Sequence, residues 1–241
     1  MGQLLKQVLL GCVFLFALIG QTMANPLSDA LSAYKAGDYA KAASLLMPLA
    51  KLGNAEAQST LGLMYEKGQG VPQSDKEAIK WYRLAAKQGA VAWQLNLGRM
   101  YYAGQGVSRN YGQAAALYQS AAEQGNPEAQ DKLGWMSYLG HGIPQNYKEA
   151  AKWYRLAAGQ GFAVSQFKLG VMYYLGHGVT QDFKEAVKWY RLAADQGLPD
   201  ARFRLAVMYD KGEGVPQDHE EADKWYRKAT DAMHPDSMVT P

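Results

Sequence analysis

The aromatic pair Trp81-Tyr82 returns as Leu117-Tyr118, Trp153-Tyr154, Trp189-Tyr190 and Trp225-Tyr226, each step being 36 residues with no insertion or deletion. A fixed period of this length is the signature of a chain that stacks copies of one supersecondary unit. Other columns hold the same register. Leu61-Gly62, Leu97-Gly98, Leu133-Gly134 and Leu169-Gly170 are followed by Leu205-Ala206, and a Gly-x-Gly begins at Gly68, Gly104, Gly140, Gly176 and Gly212. Residues 126–161 and 162–197 agree at 23 of 36 positions, which marks them as a recent duplication.

Within a unit, Ala57, Leu61 and Tyr65 recur at helical spacing and make one apolar face of a first helix; Ala78, Tyr82 and Ala85 do the same for a second. Between them, a glycine that can end a helix is followed by Ser, Asn or Asp, which can cap the next. Alanine and aromatics are abundant and β-branched runs are scarce, so the chain reads as all-α. A lone hairpin cannot bury its apolar face; a stack of them can. The Trp-Tyr column is expected to fill the junctions of that stack, with Gly62 and its equivalents allowing close helix approach.

The pattern A-x-x-x-L-G-x-x-Y-x-x-G-x-G-V, continued by A-x-x-W-Y-x-x-A-A-x-x-G, resembles the Sel-one-like repeat, a relative of the tetratricopeptide repeat. It covers five units at 54–89, 90–125, 126–161, 162–197 and 198–233. Residues 25–53 lack the long Gly-x-Gly loop and resemble a tetratricopeptide-like N-terminal capping hairpin. The resemblance implies an α-solenoid, a right-handed superhelix of stacked helix-turn-helix units. It also implies work in adaptor, assembly or secreted interaction roles, including immunity proteins that neutralise a toxin. Leu117, Ser137 and Ala206 depart from the pattern, and the last unit is expected to be looser.

Residues 1–24 read as a secretory signal peptide: Lys6 precedes an apolar run from Val8 to Ile19, and Thr22-Met23-Ala24 offers a cleavage site. A run of 12 residues is too short to span a bilayer, so no stable membrane insertion is expected after cleavage, and the destination is periplasmic or secreted. Cys12 is followed by further apolar residues, which argues against acylation there. It is the sole cysteine, so packing alone must hold the fold. The formal charge of +3 becomes +2 once Lys6 leaves with the leader, and so weak a field excludes nucleic acid as a partner. Residues 234–241 form a C-terminal tail.

No catalytic, cofactor or metal constellation emerges. His141 and His177 share one loop slot, where other units have Gln69, Gln105 and Glu213; two histidines without a third ligand read as solvated loop tips. Ser32-x-x-Lys35 and Ser165-x-x-Lys168 fit the nucleophile pattern of penicillin-recognising enzymes, but no S-D-N or K-T-G accompanies them. A β-lactam-binding or hydrolysing enzyme using one of these pairs is the rival reading.

With Leu61 at the centre of the buried face, a turn of 100° per residue points positions equivalent to 56, 59, 60, 63, 66 and 67 away from the core. By the resemblance, these line the concave groove of the superhelix. They are unexpectedly apolar: Leu95, Arg99 and Tyr102 in the second unit, Trp135 and Tyr138 in the third, Phe167, Val171 and Tyr174 in the fourth, Phe203 and Val207 in the fifth. Lys132, Lys168 and Arg204 form a cationic ladder beside them. Exposed aromatics beside cations predict a protein partner, an apolar segment with acidic residues.

Overall fold

The computed structural model describes residues 25–233, so the leader with Cys12 and the tail at 234–241 lie outside the described residues. The described chain consists of helices and connecting turns. They are α1 (Pro26–Lys35), α2 (Tyr39–Lys51), α3 (Ala55–Lys67), α4 (Asp75–Lys87), α5 (Val91–Ala103) and α6 (Tyr111–Glu123), then α7 (Pro127–Leu139), α8 (Tyr147–Gly159), α9 (Ala163–Leu175), α10 (Phe183–Asp195), α11 (Pro199–Lys211) and α12 (His219–Met233). None is long and apolar enough to cross a membrane. The described residues form two compact units, divided between residues 85 and 86.

The helix ends follow from the residues that flank them. The side chain of Asn126 accepts from the Ala129 amide at 2.9 Å and caps α7, and Asn146 caps α8 through Glu149 at 3.1 Å. Gly140 ends α7 in the left-handed conformation at φ 76°. Gly142, two residues on, is needed for another reason: a Cβ there would lie 2.3 Å from the Tyr111 backbone of the preceding repeat. The Gly-x-Gly thus combines a helix stop with a close approach between neighbours.

In the first unit, α1 packs on α2 and α2 on α3, around Ala30, Ala42, Leu46, Leu61, Met64 and Trp81. Gly62 lies beneath Tyr82, whose hydroxyl donates to Glu66. The loop residue Gln69 accepts from the Tyr34 hydroxyl at 3.2 Å.

In the second unit each helix from α5 to α12 packs on the next. Tyr118, Tyr154 and Tyr190 are the interior side chains, each at most 2 % exposed. Each lies on the glycine of its own first helix: a Cβ on Gly98, Gly134 or Gly170 would come within 2.6, 2.8 or 2.7 Å of the ring. Trp153 and Trp189 are only half-buried, so the tyrosine rather than the Trp-Tyr pair fills the junction. In the last repeat Ala206 replaces the glycine and the roles exchange, Trp225 being 7 % exposed and Tyr226 half-buried.

A glutamine column that the periodicity alone did not single out fastens the stack. The buried amides of Gln94, Gln130 and Gln166 donate to the carbonyls of Ala86, Ala122 and Ala158 at 3.2 Å, reaching the end of the preceding helix. Their oxygens accept from Gln124, Gln160 and Gln196 at 3.0, 2.8 and 2.7 Å. A buried amide without such partners would cost about 1–3 kcal/mol. Arg202 takes the same slot in the last repeat, where its Nε donates to the Ala194 carbonyl at 3.2 Å.

Candidate functional site

The first helices α5, α7, α9 and α11 carry the residues that the sequence pointed outward. Trp135 on α7 is 38 % exposed and lies parallel to Tyr138, with ring centroids 6.1 Å apart. Phe203 on α11 is 47 % exposed and meets Tyr226 edge-on at 5.5 Å. Phe167, Val171, Tyr174 and Val207 are half-buried, Phe167 resting on Tyr190 at 5.7 Å and Tyr174 on Phe183 at 5.3 Å. Tyr102 is half-buried and Arg99 exposed, its guanidinium paired with Glu128.

Two expectations change. Leu95 is not on the surface: it is 7 % exposed and belongs to the core, because a single-helix projection takes no account of the neighbouring helices of the stack. Lys168 is not a free rung of the cationic ladder. Its ammonium donates to both oxygens of Asp131 at 2.8 Å, and the Ser165 hydroxyl donates to the same carboxylate at 2.9 Å. Asp131 is 2 % exposed. Lys168 also lies 5.4 Å from the Trp135 ring and 5.3 Å from Tyr154, and this burial holds its ammonium below the usual lysine range although Asp131 opposes the shift. Lys132 and Arg204, by contrast, enter no ion pair among the described residues.

The histidines are not solvated loop tips either. The His141 ring stacks on Tyr111 at 4.5 Å and its Nδ1 meets the Tyr102 hydroxyl at 3.1 Å; His177 does the same with Tyr147 and Tyr138, at 4.7 and 3.0 Å. Each joins its loop to the preceding repeat. Tyr102 and Tyr138 are therefore structural on one edge and open to the face on the other. Among the described residues no cluster of three or more metal-ligating side chains exists.

The Ser-x-x-Lys pairs offer no nucleophile geometry. Ser165 is fully buried, and its hydroxyl faces Asp131 rather than an opening. Ser32 and Lys35 are both exposed on α1.

Between α5, α6 and α7 the face opens into a pocket of about 240 Å³, formed chiefly by Arg99, Tyr102, Tyr118, Lys132, Trp135 and Met136. It brings together four of the residues expected to bind a partner, and adds Tyr118, which their helix pattern could not include because it belongs to a second helix. Burial pushes the Tyr118 phenol up from its ordinary value, with Arg99 opposing.

The Sel1 repeat family model matches residues 55–89, 94–126, 127–162, 163–198 and 199–232. The chain belongs to the Sel1 repeat family. Its fold class is the α-solenoid of helix-turn-helix repeats, a scaffold that mediates protein–protein interaction and is generally non-catalytic. A Sel1 repeat protein from Oxalobacter formigenes is 37 % identical with a TM-score of 0.78, over 86 % of this chain and 85 % of that one. A protective antigen of uropathogenic Escherichia coli with the same fold is also 37 % identical with a TM-score of 0.78, over 86 % of this chain. The chain spans 45 % of that antigen's length. An immunity protein from Pseudomonas aeruginosa, at 21 % identity and a TM-score of 0.45 over 88 % of each chain, is too distant to carry an argument about role. No curated protein matches the chain.

Proposed function

We propose that the chain is an exported, non-catalytic binding module that takes a segment of a protein partner on the first-helix face of repeats 2 to 5. The observation that carries this reading is the company Trp135 and Phe203 keep. They are 38 % and 47 % exposed on a scaffold whose other aromatics are largely packed, and the unpaired cations Lys132 and Arg204 adjoin them in register. Aromatic anchors beside cations are the composition of binding hot spots, and an idle surface has no use for them. Tyr102, Tyr138, Phe167, Val171, Tyr174 and Val207 supply the apolar floor between the anchors, Arg99 adds a cation at one end, and the partner is an apolar segment carrying acidic residues. An adaptor or toxin-neutralising role in the bacterial envelope fits such a module, and the leader-like residues 1–24 support export to the periplasm or beyond.

Trp135→Ala combined with Phe203→Ala tests the reading, because neither side chain is buried. Affinity capture from envelope extract with wild type and variant side by side is expected to lose one partner selectively while circular dichroism stays unchanged. Identical eluates would refute it.

A further inference from the structure

Two junctions of the second unit place the same three positions together, and at these positions they differ in one residue. Where α7 meets α9, Asp131 supplies a buried carboxylate to Lys168, beside the ring of Tyr154. One repeat earlier the lysine and the tyrosine are retained as Lys132 and Tyr118, 36 residues back in each case, but the position of Asp131 is taken by Leu95. This earlier junction has the cation without the anion, and it is where the pocket opens.

Two further observations point to a ligand. Tyr118 is 2 % exposed and forms part of the pocket wall, yet its hydroxyl makes no hydrogen bond within the described protein. The hydroxyl is not among the sealed, unpartnered polar atoms of the core, so it can donate to a carboxylate oxygen that enters the pocket. The charge balance is also specific. Arg99 and Lys132 face the pocket and Glu128 neutralises part of Arg99, leaving close to one positive charge. That suits a carboxylate better than a doubly charged phosphate. Ala103, Met136 and Trp135 provide the apolar wall that a side chain's methylene groups need, and about 240 Å³ admits a side chain.

We infer that this pocket receives the carboxylate of an Asp or Glu side chain from the bound protein segment, which supplies to Lys132, from the pocket side, the counter-charge that Asp131 supplies to Lys168 from within the fold. The inference rests on the binding face proposed above and adds which residue of the partner is read, and where. Lys132 pairs with the carboxylate and Tyr118 donates to it. Trp135 covers the methylene groups, and Arg99 exchanges between Glu128 and the ligand.

Selection from a random heptapeptide display library, in which the peptides have no free C terminus, tests this on the full chain. Wild type is expected to enrich Asp or Glu at one fixed position flanked by apolar residues. Lys132→Met should erase that acidic preference while retaining the apolar one, and replacing the selected Glu by Gln in a synthetic peptide should weaken binding to wild type at least tenfold but to Lys132→Met less than twofold. Apolar enrichment without an acidic position, or acidic enrichment that survives Lys132→Met, overturns the inference and leaves the binding face standing. Enrichment that appears only in a second library with free C termini would assign the pocket to a terminal carboxylate and overturn it as well. No enrichment of any kind, or the same enrichment on Trp135→Ala/Phe203→Ala, refutes face and pocket together.

Discussion

The junction of α7 with α9 and that of α5 with α7 are built from repeats of one pattern, but one is closed and the other open. At the first, Asp131 accepts from Lys168 and Ser165 and is sealed from solvent. At the second, Leu95 fills the core and Lys132 is left without a counter-charge beside a pocket. The lesson is that a repeat array can hold its scaffold constant and change a site through a few columns. Tyr118 and Tyr154 rest on Gly98 and Gly134 in the same way at both junctions, so the tyrosine-on-glycine contact is architecture, whereas the column at 95 and 131 decides whether the lysine has a buried counter-charge.

The largest effect should come from breaking the closed junction. Asp131→Asn leaves the Lys168 ammonium buried without its anion and is expected to cost about 2–4 kcal/mol in urea denaturation. The double change Asp131→Leu with Lys168→Met should return stability to within about 1 kcal/mol of wild type, since an apolar pair of similar volume replaces a buried ion pair at little cost. A single variant as stable as wild type would remove the distinction between the junctions.

Closing the open junction is the reciprocal experiment. Leu95→Asp should pair with Lys132, and a double-mutant cycle with Lys132→Met should give a favourable coupling of about 1–3 kcal/mol. Zero coupling would mean that the two lysines do not occupy equivalent places.

The shared architecture should respond equally at both sites. Gly98→Ala and Gly134→Ala each put a methyl within 2.6 or 2.8 Å of a tyrosine ring. Overpacking outweighs the gain in helix propensity, and a net loss of about 1–2 kcal/mol is expected for either variant. Clearly unequal losses would show that the tyrosine-on-glycine contact is not equivalent at the two junctions.

Alkaline titration gives the smallest effect per group. Burial raises the phenol pKa of Tyr118, Tyr154 and Tyr190, so each contributes stability that is complete below the ordinary tyrosine value near 10 and is lost as pH rises above it. The slope should approach about 1.4 kcal/mol per pH unit for each tyrosine. Lys168, held low by burial, has the opposite sign: the unfolded chain keeps that proton longer, so its contribution grows as pH rises through the window just below 10.5. Phenolate absorbance that develops well before helical signal is lost would contradict the buried placement.

The period, the helix pairs and the loop glycines were legible because each recurs at a fixed offset, and backbone requirements repeat when the backbone does. Trp135 and Phe203 were legible as exposed aromatics for the same reason. Leu95 and Lys168 were misread because a helical projection sees one helix at a time, whereas Lys168 is covered by Asp131, Trp135 and Tyr154 of the neighbouring repeat. Asp131 stands in the same column as Leu95, Phe167 and Phe203, and a carboxylate at a position that is apolar in the other repeats of the second unit was the available signal for a pair with Lys168. The Gln94, Gln130 and Gln166 column was equally periodic, but a polar residue at helical spacing gives no hint of burial until its carbonyl partner is known. Tyr118 entered the pocket from a helix assigned wholly to the core.

The open junction is tested most directly by calorimetric titration of one selected acidic peptide into wild type and Leu95→Asp. The installed carboxylate should compete for Lys132 and weaken binding at least tenfold at unchanged helical content, while the Glu→Gln peptide binds both proteins alike. Equal affinity of the acidic peptide for the two proteins would contradict the account.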